Sequence, residues 1–401
     1  MNIKKYLFIF LLIFTSKQIT AQPELSSWIL NVNNATGYSG ISSNVQKVQY
    51  SPDYVYVSAT CIPGYDIGPW TANPNKPANQ NFVFKITRKP TQNTGTATKI
   101  AGGHIGIWTN GVSIFNAWDA QSYNNAGVWN RNAYFFEGKS FDNCLGHPAP
   151  NGEYHHHVSP KCLYNAVDSS KHSPIIGYAW DGFPIYGAYA YTNADGTGKI
   201  KRMIPGYRIK QATSRTNGPM PDQTYPLGCF LEDYEFVTGL GDLDTRNGRF
   251  CKTPEYPNGT YAYFVTIDEN QVPVYPYVFF GSYYGVVTAG NTGPGSGHVT
   301  ISETVQTYSN SASVTPKNIE NSIKIFPNPS SGNFNVMLND LEGNNFDLNI
   351  YNVTGQLIYN QANLQPTIGY PVSIGNTKGI YFLEIKSENK VISREKLIIN
   401  N

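Results

Sequence analysis

Five of the seven histidines in this chain lie within one stretch of 26 residues: His147, His155, His156, His157 and His172. Neutral imidazole is a good ligand for zinc, copper and other transition metals. If the chain is extended here, His155 and His157 point to one face and His156 to the other, because the side chains of a strand alternate. The spacing therefore favours a metal site built around an HxH pair.

Two more histidines are candidates to complete the set of ligands. His147 precedes a Pro-Ala-Pro-Asn-Gly turn that would fold it back onto the strand, and His172 opens the next apolar run. We therefore predict that a transition metal, copper or zinc, is bound by four histidines: His147, His155, His157 and His172. A rival arrangement uses Cys144 with His147, a C-x-x-H pair, as zinc ligands.

Other polar residues near this stretch are weaker candidates. Asp181, in the phrase WDGFPIYG, would serve as an acid-base carboxylate or a further ligand, although Asp-Gly is also a hairpin turn signal. Asp142 and Glu153 flank the cluster and would orient imidazole N–H groups. His104 and His298 lie apart from the stretch and are not assigned to the site.

The chain has five cysteines, so an oxidising compartment would leave at least one of them without a partner inside the chain. Cys144 and Cys162 are 18 residues apart, and Cys229 and Cys251 are 22 residues apart. These spacings predict two local disulfides, each worth about 3 kcal/mol in the chain-entropy model. Cys61 is then the leftover thiol.

The first 21 residues have the pattern of a secretory signal peptide. Two lysines are followed by an apolar run at 6–15 and then by a polar stretch that ends at Ala21. The run is about half as long as the roughly 20 residues that span a bilayer, and no later stretch is apolar enough to do so. We therefore predict export from the cytoplasm, cleavage near Ala21, and no transmembrane anchor.

Composition indicates a β-rich protein without a strong electrostatic preference for a partner. The formal net charge is +2 and only 14% of the residues are charged, which does not favour nucleic acid as a ligand. Aromatic residues make up 14% of the chain, and alternating runs at 45–59, 82–86 and 261–266 predict strands. Walker, GxSxG and dinucleotide-binding signatures are missing from the sequence, so no phosphate cofactor is predicted.

The composition changes twice towards the C-terminus. Residues 286–321 are rich in Gly, Ser, Thr and Asn and poor in large apolar residues, which is typical of a linker. Strand alternation resumes at residue 322 and continues to the end. The turn cluster PNPSSG and the hairpin signal VTGQ separate the alternating runs, so we predict a small β-sandwich of about seven strands there.

Three phrases link this last segment to a known family. They are FPNPSSGNF at 326–334, LNIYNVTGQLIY at 348–359 and KGIYFLEIKS at 378–387. In order and spacing they resemble the type A C-terminal sorting domain of the type IX secretion system of the Bacteroidetes. The resemblance implies that type IX secretion machinery recognises residues 322–401 and carries the passenger across the outer membrane. It also implies that the tail is usually removed, which leaves a secreted or surface-attached product.

The central part of the chain, at 103–284, resembles the YHYH domain family. That family is named for a Tyr-His-Tyr-His motif, which appears here as Tyr154-His155-His156-His157 and so departs from the pattern at its third position. Further similar phrases are IGIWTNGVSIFNAWDA, HSPIIGYAWDGFPIYG, LDTRNGRF and TPEYPNGTYAYFVT. The resemblance implies a histidine site but no established reaction.

Together these features predict a mainly β protein, with an antiparallel β-rich YHYH domain followed by a small C-terminal β-sandwich. The expected segments are the signal peptide, an N-terminal β-rich part, the YHYH domain, the linker and the sorting domain: 1–21, 22–102, 103–285, 286–321 and 322–401. If the protein is an enzyme, we expect a metal-dependent hydrolase or oxidoreductase. The alternative is a non-catalytic cell-surface or glycan-binding protein, with a polysaccharide as partner and a structural histidine cluster.

Overall fold

The computed structural model describes seven stretches of the chain: residues 22–293, 296–309, 323–338, 346–365, 369–375, 377–387 and 390–400. The predicted signal peptide and residues 310–321 of the predicted linker lie outside them. The chain forms two compact units, which divide between Asn310 and Ser311. No helix among the described residues is long and apolar enough to cross a membrane.

The first unit is built from short strands with a few turns of helix. Its strands in chain order are β1 (Val45–Tyr50), β2 (Tyr54–Ala59), β3 (Phe82–Thr87), β4 (His104–Trp108), β5 (Ser113–Phe115), β6 (Trp118–Ser122), β7 (Asn130–Asn132), β8 (His147–Pro148), β9 (Tyr154–His156), β10 (Ile175–Ala179), β11 (Pro184–Tyr186), β12 (Tyr189–Tyr191), β13 (Ile200–Arg202), β14 (Tyr207–Ile209), β15 (Tyr234–Phe236), β16 (Gly248–Cys251), β17 (Thr260–Phe264) and β18 (Gln306–Tyr308). The helices are α1 (Pro23–Ser26) and α2 (Ala133–Phe136), with 3-10 turns at Tyr38–Gly40, Tyr123–Asn125, Gly138–Ser140 and Leu231–Asp233.

Two sheets form the body of this unit. Four strands make an antiparallel sheet in the order β18-β1-β2-β3. Eight strands make a larger sheet in the order β16-β17-β11-β10-β4-β5-β9-β8. In the larger sheet β11 pairs with β17 and β5 with β9 in parallel, and the other neighbours are antiparallel. The mainly antiparallel β fold predicted from the sequence is confirmed.

Apolar alternation explains how these strands pack. In β3 the buried side chains of Phe82, Phe84 and Ile86 alternate with partly exposed ones, so this strand turns one face to the core. Strand β10 lies in the middle of the larger sheet and is buried along its whole length. Trp108 and Trp180 are fully buried in the same core. This aromatic core supports the β5, β9 and β8 edge of the larger sheet, where most of the clustered histidines lie.

Part of the predicted linker belongs to the first unit. Strand β18 pairs with β1, and His298 forms a parallel bridge with Val83. The Asn291 side chain accepts the N–H of Lys85 at 3.0 Å and donates to its carbonyl oxygen at 2.5 Å. Small polar side chains still permit main-chain pairing, so the described residues 286–293 and 296–309 are packed against the sheet despite their linker-like composition.

The second unit contains seven strands among its described residues: β19 (Ile323–Phe326), β20 (Asn333–Leu338), β21 (Phe346–Asn352), β22 (Leu357–Leu364), β23 (Gly369–Ser373), β24 (Gly379–Ser387) and β25 (Lys390–Ile399). They form two antiparallel sheets, in the orders β19-β20-β23 and β22-β21-β24-β25. Val336 from one sheet and Ile350 and Leu383 from the other are fully buried in a single apolar core. Two sheets around one core make the small β-sandwich that the alternation predicts.

One of the two predicted disulfides is formed. Cys144 and Cys162 are bonded, with their Cα atoms 5.1 Å apart. The Cys144 sulfur is therefore not free to act as the zinc ligand of the rival C-x-x-H arrangement. Cys61 is a free thiol that donates to the carbonyl oxygen of Tyr154 at 3.0 Å, and burial raises its pKa.

The second predicted disulfide is wrong, because Cys229 and Cys251 are both free and buried. The prediction assumed that the segment between them closes on itself. Instead the carbonyl oxygen of Cys229 accepts the N–H of Asn132, whereas Cys251 ends β16 and pairs with Thr260 of β17. The two cysteines join different neighbours, so the spacing of 22 residues in the sequence did not produce proximity.

Candidate metal centre

Two short strands bring His147 and His155 together at one edge of the larger sheet. Strands β8 and β9 pair antiparallel, with His147 opposite His155. The turn between them contains Gly152 at φ +83°, where an added Cβ would also meet the Cβ of Ala78 at 2.7 Å. Only glycine fits such a position without strain. The predicted fold-back of His147 onto the HxH strand is therefore present.

The side chains of His147, His155 and His157 converge, and all three are buried. One ligand atom from each lies within 4.8 Å of the others. His155 Nε2 and His157 Nε2 are 3.1 Å apart. His156 contacts Trp108 and Tyr154 instead, so the HxH pair and the intervening ring face opposite ways, as the alternation predicts.

Hydrogen bonds fix the proton on the Nδ1 atom of two of these rings. His155 Nδ1 lies 3.0 Å from the carbonyl oxygen of Glu153, and His157 Nδ1 lies 2.6 Å from that of Asn116. A carbonyl oxygen only accepts, so each Nδ1 carries the hydrogen and each Nε2 of the neutral ring presents a lone pair. The two Nε2 atoms at 3.1 Å therefore cannot hydrogen-bond to each other while both rings are neutral.

The third ring has the same tautomer. Ser140 Oγ donates its hydrogen to the carbonyl oxygen of Glu137 at 2.7 Å. It therefore accepts the hydrogen of His147 Nδ1, which is also 2.7 Å away. His147 Nε2 is left buried, with a lone pair and without a hydrogen-bond partner among the described residues. In their neutral form, the three imidazoles therefore direct the lone pairs of their Nε2 atoms into one small space.

Burial keeps the imidazoles of His147 and His155 neutral. It lowers the pKa of His147 to about 4, and the charge of His157 acts in the same direction. Burial also lowers the pKa of His155 well below its usual value, and the neighbouring rings of His147 and His157 add to the effect. Because a metal ion binds the neutral imidazole, no proton has to be displaced from His147 or His155 near neutral pH.

Glu137 is an additional candidate ligand that the sequence did not reveal. Its Oε2 lies 3.2 Å from His157 Nε2 and 3.8 Å from His147 Nε2. Burial raises the pKa of this carboxyl, but a protonated His157, which would donate from Nε2 to Glu137, outweighs burial and leaves the pKa below its ordinary value. The cluster therefore offers three nitrogen atoms and, beside two of them, one carboxylate oxygen as candidate ligands.

Local structure explains how Glu137 reaches the histidines. The Asn132 side chain caps α2 by accepting the N–H of Tyr134, and the N–H of Glu137 closes the helix on the carbonyl oxygen of Ala133. The following 3-10 turn carries Ser140, which orients His147. In the sequence Glu137 is one acid in the phrase AYFFEGKS, without a spacing that marks it as a ligand.

The three histidines line a cavity of about 540 Å³. Its wall includes Glu137 and the aromatic side chains of Phe115, Trp118 and Phe136. The Phe115 ring stacks on His155 with 3.8 Å between the ring centres. Asp119 also lines the cavity, and burial raises its pKa to about 6. The convergent nitrogen atoms therefore face a space that is large enough for a small molecule.

His172, the predicted fourth ligand, is not part of this cluster. Its ring packs against Tyr186, Tyr191 and Phe264, and its Nδ1 lies 2.7 Å from the carbonyl oxygen of Ser173. Tyr186 lies on β11, which is four strand positions from β9, or roughly 19 Å along a flat sheet. The sequence places His172 near the motif, but the order of strands separates them.

Asp181 and Asp142 have structural partners. Asp181 lies in the turn between β10 and β11, where it accepts hydrogen bonds from Tyr263 Oη at 2.7 Å and from the N–H of Gly285 at 2.8 Å. Burial raises its pKa to about 6, and these hydrogen bonds oppose that effect. Asp142 accepts the Tyr154 hydroxyl rather than an imidazole. The hairpin-turn interpretation of Asp181 is therefore the better one, and Asp181 does not line the histidine cavity.

Two family models match the chain. Residues 83–278 match the model of the YHYH protein family, and residues 324–400 match that of the secretion system C-terminal sorting domain. These matches confirm both resemblances. The YHYH match begins at residue 83, whereas the sequence analysis placed the start of the domain at residue 103. The domain boundaries stay predictions. The sorting domain indicates a secreted, surface-targeted protein that type IX secretion handles.

Individual proteins similar to this chain give no further information on its fold or function. No curated protein matches the chain. One similar solved structure is that of PorZ, an essential bacterial surface component of the type-IX secretion system of human oral-microbiomic Porphyromonas gingivalis. The identity is 10%, the match covers 95% of this chain and 54% of that chain, and the TM-score is 0.18. The chain spans about half the length of PorZ, and so low a TM-score supports no conclusion about fold or function.

The family matches agree with the geometry described above, because the three convergent histidines lie inside the first matched range. The second matched range contains the seven described strands of the C-terminal sandwich apart from the first residue of β19. One region of the chain therefore matches the YHYH protein family, and a second region matches the secretion system C-terminal sorting domain.

Proposed function

We propose that the YHYH domain binds one transition metal ion through Nε2 of His147, His155 and His157, with the Glu137 carboxylate as the fourth ligand. The observation that carries the proposal is that one nitrogen atom from each of three buried imidazoles lies within 4.8 Å of the others. Without a cation, these lone pairs repel one another and lack hydrogen-bond donors, which is costly in a buried site. A bound cation would remove both costs.

The donor set fits zinc or copper. Zinc is commonly held by imidazole nitrogen and carboxylate oxygen in a tetrahedral site, and imidazole also suits copper. Glu137 is the proposed fourth ligand instead of His172, which was the fourth ligand predicted from the sequence. Each Nδ1–H donates a hydrogen bond, to Ser140 Oγ or to the carbonyl oxygen of Glu153 or Asn116, and these bonds would hold the rings in the binding tautomer, as is usual for histidine ligands of metals.

The cavity supports a catalytic role over a purely structural one. Structural zinc sites are closed by protein ligands, whereas catalytic sites leave a position open to water or substrate. Here the histidines line a space of about 540 Å³. When bound, the ion would supply a Lewis acid or a redox centre, so a metal-dependent hydrolase or oxidoreductase is the class we propose. Phe115, Trp118 and Phe136 would give the substrate an apolar wall.

Metal analysis of the purified protein tests this proposal. Protein prepared without chelators or a histidine tag should contain about one equivalent of a single transition metal, and a His155→Ala/His157→Ala variant should contain none. His172→Ala is the matched control, because His172 is also buried and also has an Nε2 without a partner among the described residues. Wild-type protein that stays metal-free after incubation with zinc and with copper would support the structural-cluster alternative instead.

We also propose that residues 322–401 direct export and are then removed, so that the YHYH domain acts outside the cell or on its surface. The match of 324–400 to the sorting domain supports this proposal. Deleting residues 322–401 should leave the passenger inside the cell in a host with type IX secretion. Unchanged export of the truncated chain would contradict it.

A further inference from the structure

The side chains of a serine, a histidine and a glutamate are joined by two consecutive hydrogen bonds outside the proposed metal site. Ser296 Oγ lies 2.7 Å from His104 Nε2, and His104 Nδ1 lies 3.0 Å from Glu153 Oε1. The three residues are far apart in the sequence, at 104, 153 and 296. The fold brings them together through the bridge between Val83 and His298, which places the Ser296 segment beside β3 and β4.

The chemistry of the three groups fixes the direction of these hydrogen bonds. An ionised carboxylate only accepts, so His104 Nδ1 carries a hydrogen and donates it to Glu153. The other nitrogen of the neutral ring then accepts the hydroxyl hydrogen of Ser296. This is the arrangement of a serine activated by a general base that a third, acidic group orients.

Packing holds the base in place. The His104 ring contacts Phe82, Phe84 and Trp180 edge to face, with ring centres 5.2 to 5.8 Å apart. The side chains of His104 and Glu153 are only 9% and 7% exposed. Ser113 Oγ also donates to Glu153 Oε1, which fixes the carboxylate from a second side. A base with one orientation and one tautomer is pre-organised to accept the proton of a nucleophile.

The serine faces a space into which a substrate could enter. Ser296, His104 and Glu153 line a cavity of about 260 Å³, together with Asn151 and His298. Asn151 Oδ1 accepts the N–H of Glu153, and its Nδ2 donates no hydrogen bond within the described part of the chain. An amide donor beside a nucleophile is able to stabilise an oxyanion.

We propose that Ser296, His104 and Glu153 form a catalytic triad that hydrolyses carboxylic esters with a small acyl group. Ser296 Oγ is the nucleophile, His104 the general base and acid, and Glu153 the positioning residue for His104. An ester is favoured because alcohol is a better leaving group than an amine. The small acyl group follows from the cavity volume, which is about half that of the metal site.

In the first half-reaction Ser296 Oγ bonds to the carbonyl carbon while His104 Nε2 takes the hydroxyl proton. The bond from that carbon to the alkoxy oxygen then breaks, and the proton passes from Nε2 to the departing alcohol. In the second half-reaction water gives a proton to Nε2 and bonds to the acyl carbon. The carboxylic acid leaves, and Ser296 Oγ recovers its proton. No oxidant, reductant or metal takes part.

Glu153 belongs to both sites through different atoms. Its carboxylate orients His104, whereas its carbonyl oxygen orients His155 of the metal site. Replacing the side chain leaves the carbonyl oxygen in place, so the two sites are separable by substitution. This separation allows the triad to be tested in protein whose metal content is known.

Labelling with a fluorophosphonate probe tests the triad, because the activated serine bonds to phosphorus and releases fluoride. The full chain should gain one probe mass on the Ser296 peptide, with and without EDTA, and Ser296→Ala should gain none. Ser170→Ala is the matched control, because Ser170 Oγ is exposed and bonds to Asp168 rather than to a histidine. The control should be labelled like the wild type.

Glu153→Gln tests the positioning role. It should slow labelling and the hydrolysis of p-nitrophenyl acetate by about 100-fold, the lower end of what general acid–base assistance contributes. The metal content should stay at the wild-type value. The proposal is overturned if folded wild-type protein, shown by its cooperative thermal transition, leaves Ser296 unlabelled. It is also overturned if Glu153→Gln labels at the wild-type rate.

Discussion

The two ends of the larger sheet bury histidines in different surroundings. At the β8–β9 end, His147, His155 and His157 direct their Nε2 atoms at one another beside the Glu137 carboxylate. At the β11–β17 end, His172 also has a buried Nε2 without a partner among the described residues, but aromatic rings surround it.

The difference shows what distinguishes a candidate metal ligand from an imidazole that only packs. One unpaired nitrogen against aromatic rings costs the protein a single hydrogen bond. Three such nitrogens within 4.8 Å add mutual repulsion, and only a shared cation or proton relieves it. Convergence of lone pairs, and not burial of a histidine, is therefore what distinguishes the proposed metal site.

The largest expected effect is on metal-linked stability. A ligand that binds only the folded protein stabilises it by about 2.7 kcal/mol at a concentration 100 times its Kd. Zinc or copper at that excess should raise the unfolding free energy of the wild type by this amount and leave His155→Ala/His157→Ala unchanged. Chemical denaturation with and without metal measures both. An equal gain in the double variant would mean that the ion binds elsewhere.

The next effect concerns the carboxylate at the β8–β9 end. Glu137→Gln keeps the shape of the side chain but removes its charge, so metal affinity should fall by about 100-fold. Loss of a group that supports the ligands of a metal typically lowers the affinity by about 10- to 100-fold, and this is the upper end of that range. Competition with a chromophoric chelator measures the change. Glu232→Gln is a suitable control, because Glu232 bonds to Asn130 rather than to a histidine. Unchanged affinity in Glu137→Gln would remove Glu137 from the ligand set.

A smaller effect is expected from the group that orients His147. Ser140→Ala removes the acceptor of the Nδ1 hydrogen, and metal affinity should fall by about 10-fold. The same chelator competition measures it. Ser159→Ala, which removes a hydroxyl in contact with Tyr164, should bind metal like the wild type. Equal losses in the two serine variants would point to a general loss of stability.

The smallest effect is expected at the other end of the sheet. His172→Phe replaces an imidazole among aromatic rings with another flat ring, so metal content should not change and stability should change by less than about 1.5 kcal/mol. Metal analysis and denaturant unfolding check the two quantities. A loss of metal would restore His172 to the ligand set and contradict the strand order that separates it from the cluster.

Patterns over a few residues predicted the convergence of His147, His155 and His157. Whether His172 and Glu137 join them depends on packing between segments that are distant in the sequence. The HxH spacing and the Pro-Ala-Pro-Asn-Gly turn were sufficient to bring His147 to His155 and His157, because strand alternation and turns act over a few residues. His172 was misplaced because the order of strands in a sheet is not visible in the sequence. Glu137 was missed for the same reason, since α2 reaches the cluster through tertiary packing.

The same limit applies elsewhere in the molecule. The strands at 45–59, 82–86 and 261–266 and the seven-stranded tail follow from local alternation, and the structure confirms them. The pairing of Cys229 with Cys251 relied on spacing alone, and different neighbours hold the two residues apart. His104 was left unassigned because no local motif joins it to residues as distant in the sequence as Glu153 and Ser296.

Anomalous X-ray diffraction from crystals of the metal-loaded protein tests the account most directly. It should show one strong peak bonded to Nε2 of His147, His155 and His157, at roughly 2.0 to 2.1 Å if the ion is zinc. The Glu137 carboxylate should complete the site, and no peak should lie beside His172. A peak at His172, bonding through Nδ1 atoms, or no peak at the three histidines would contradict the account.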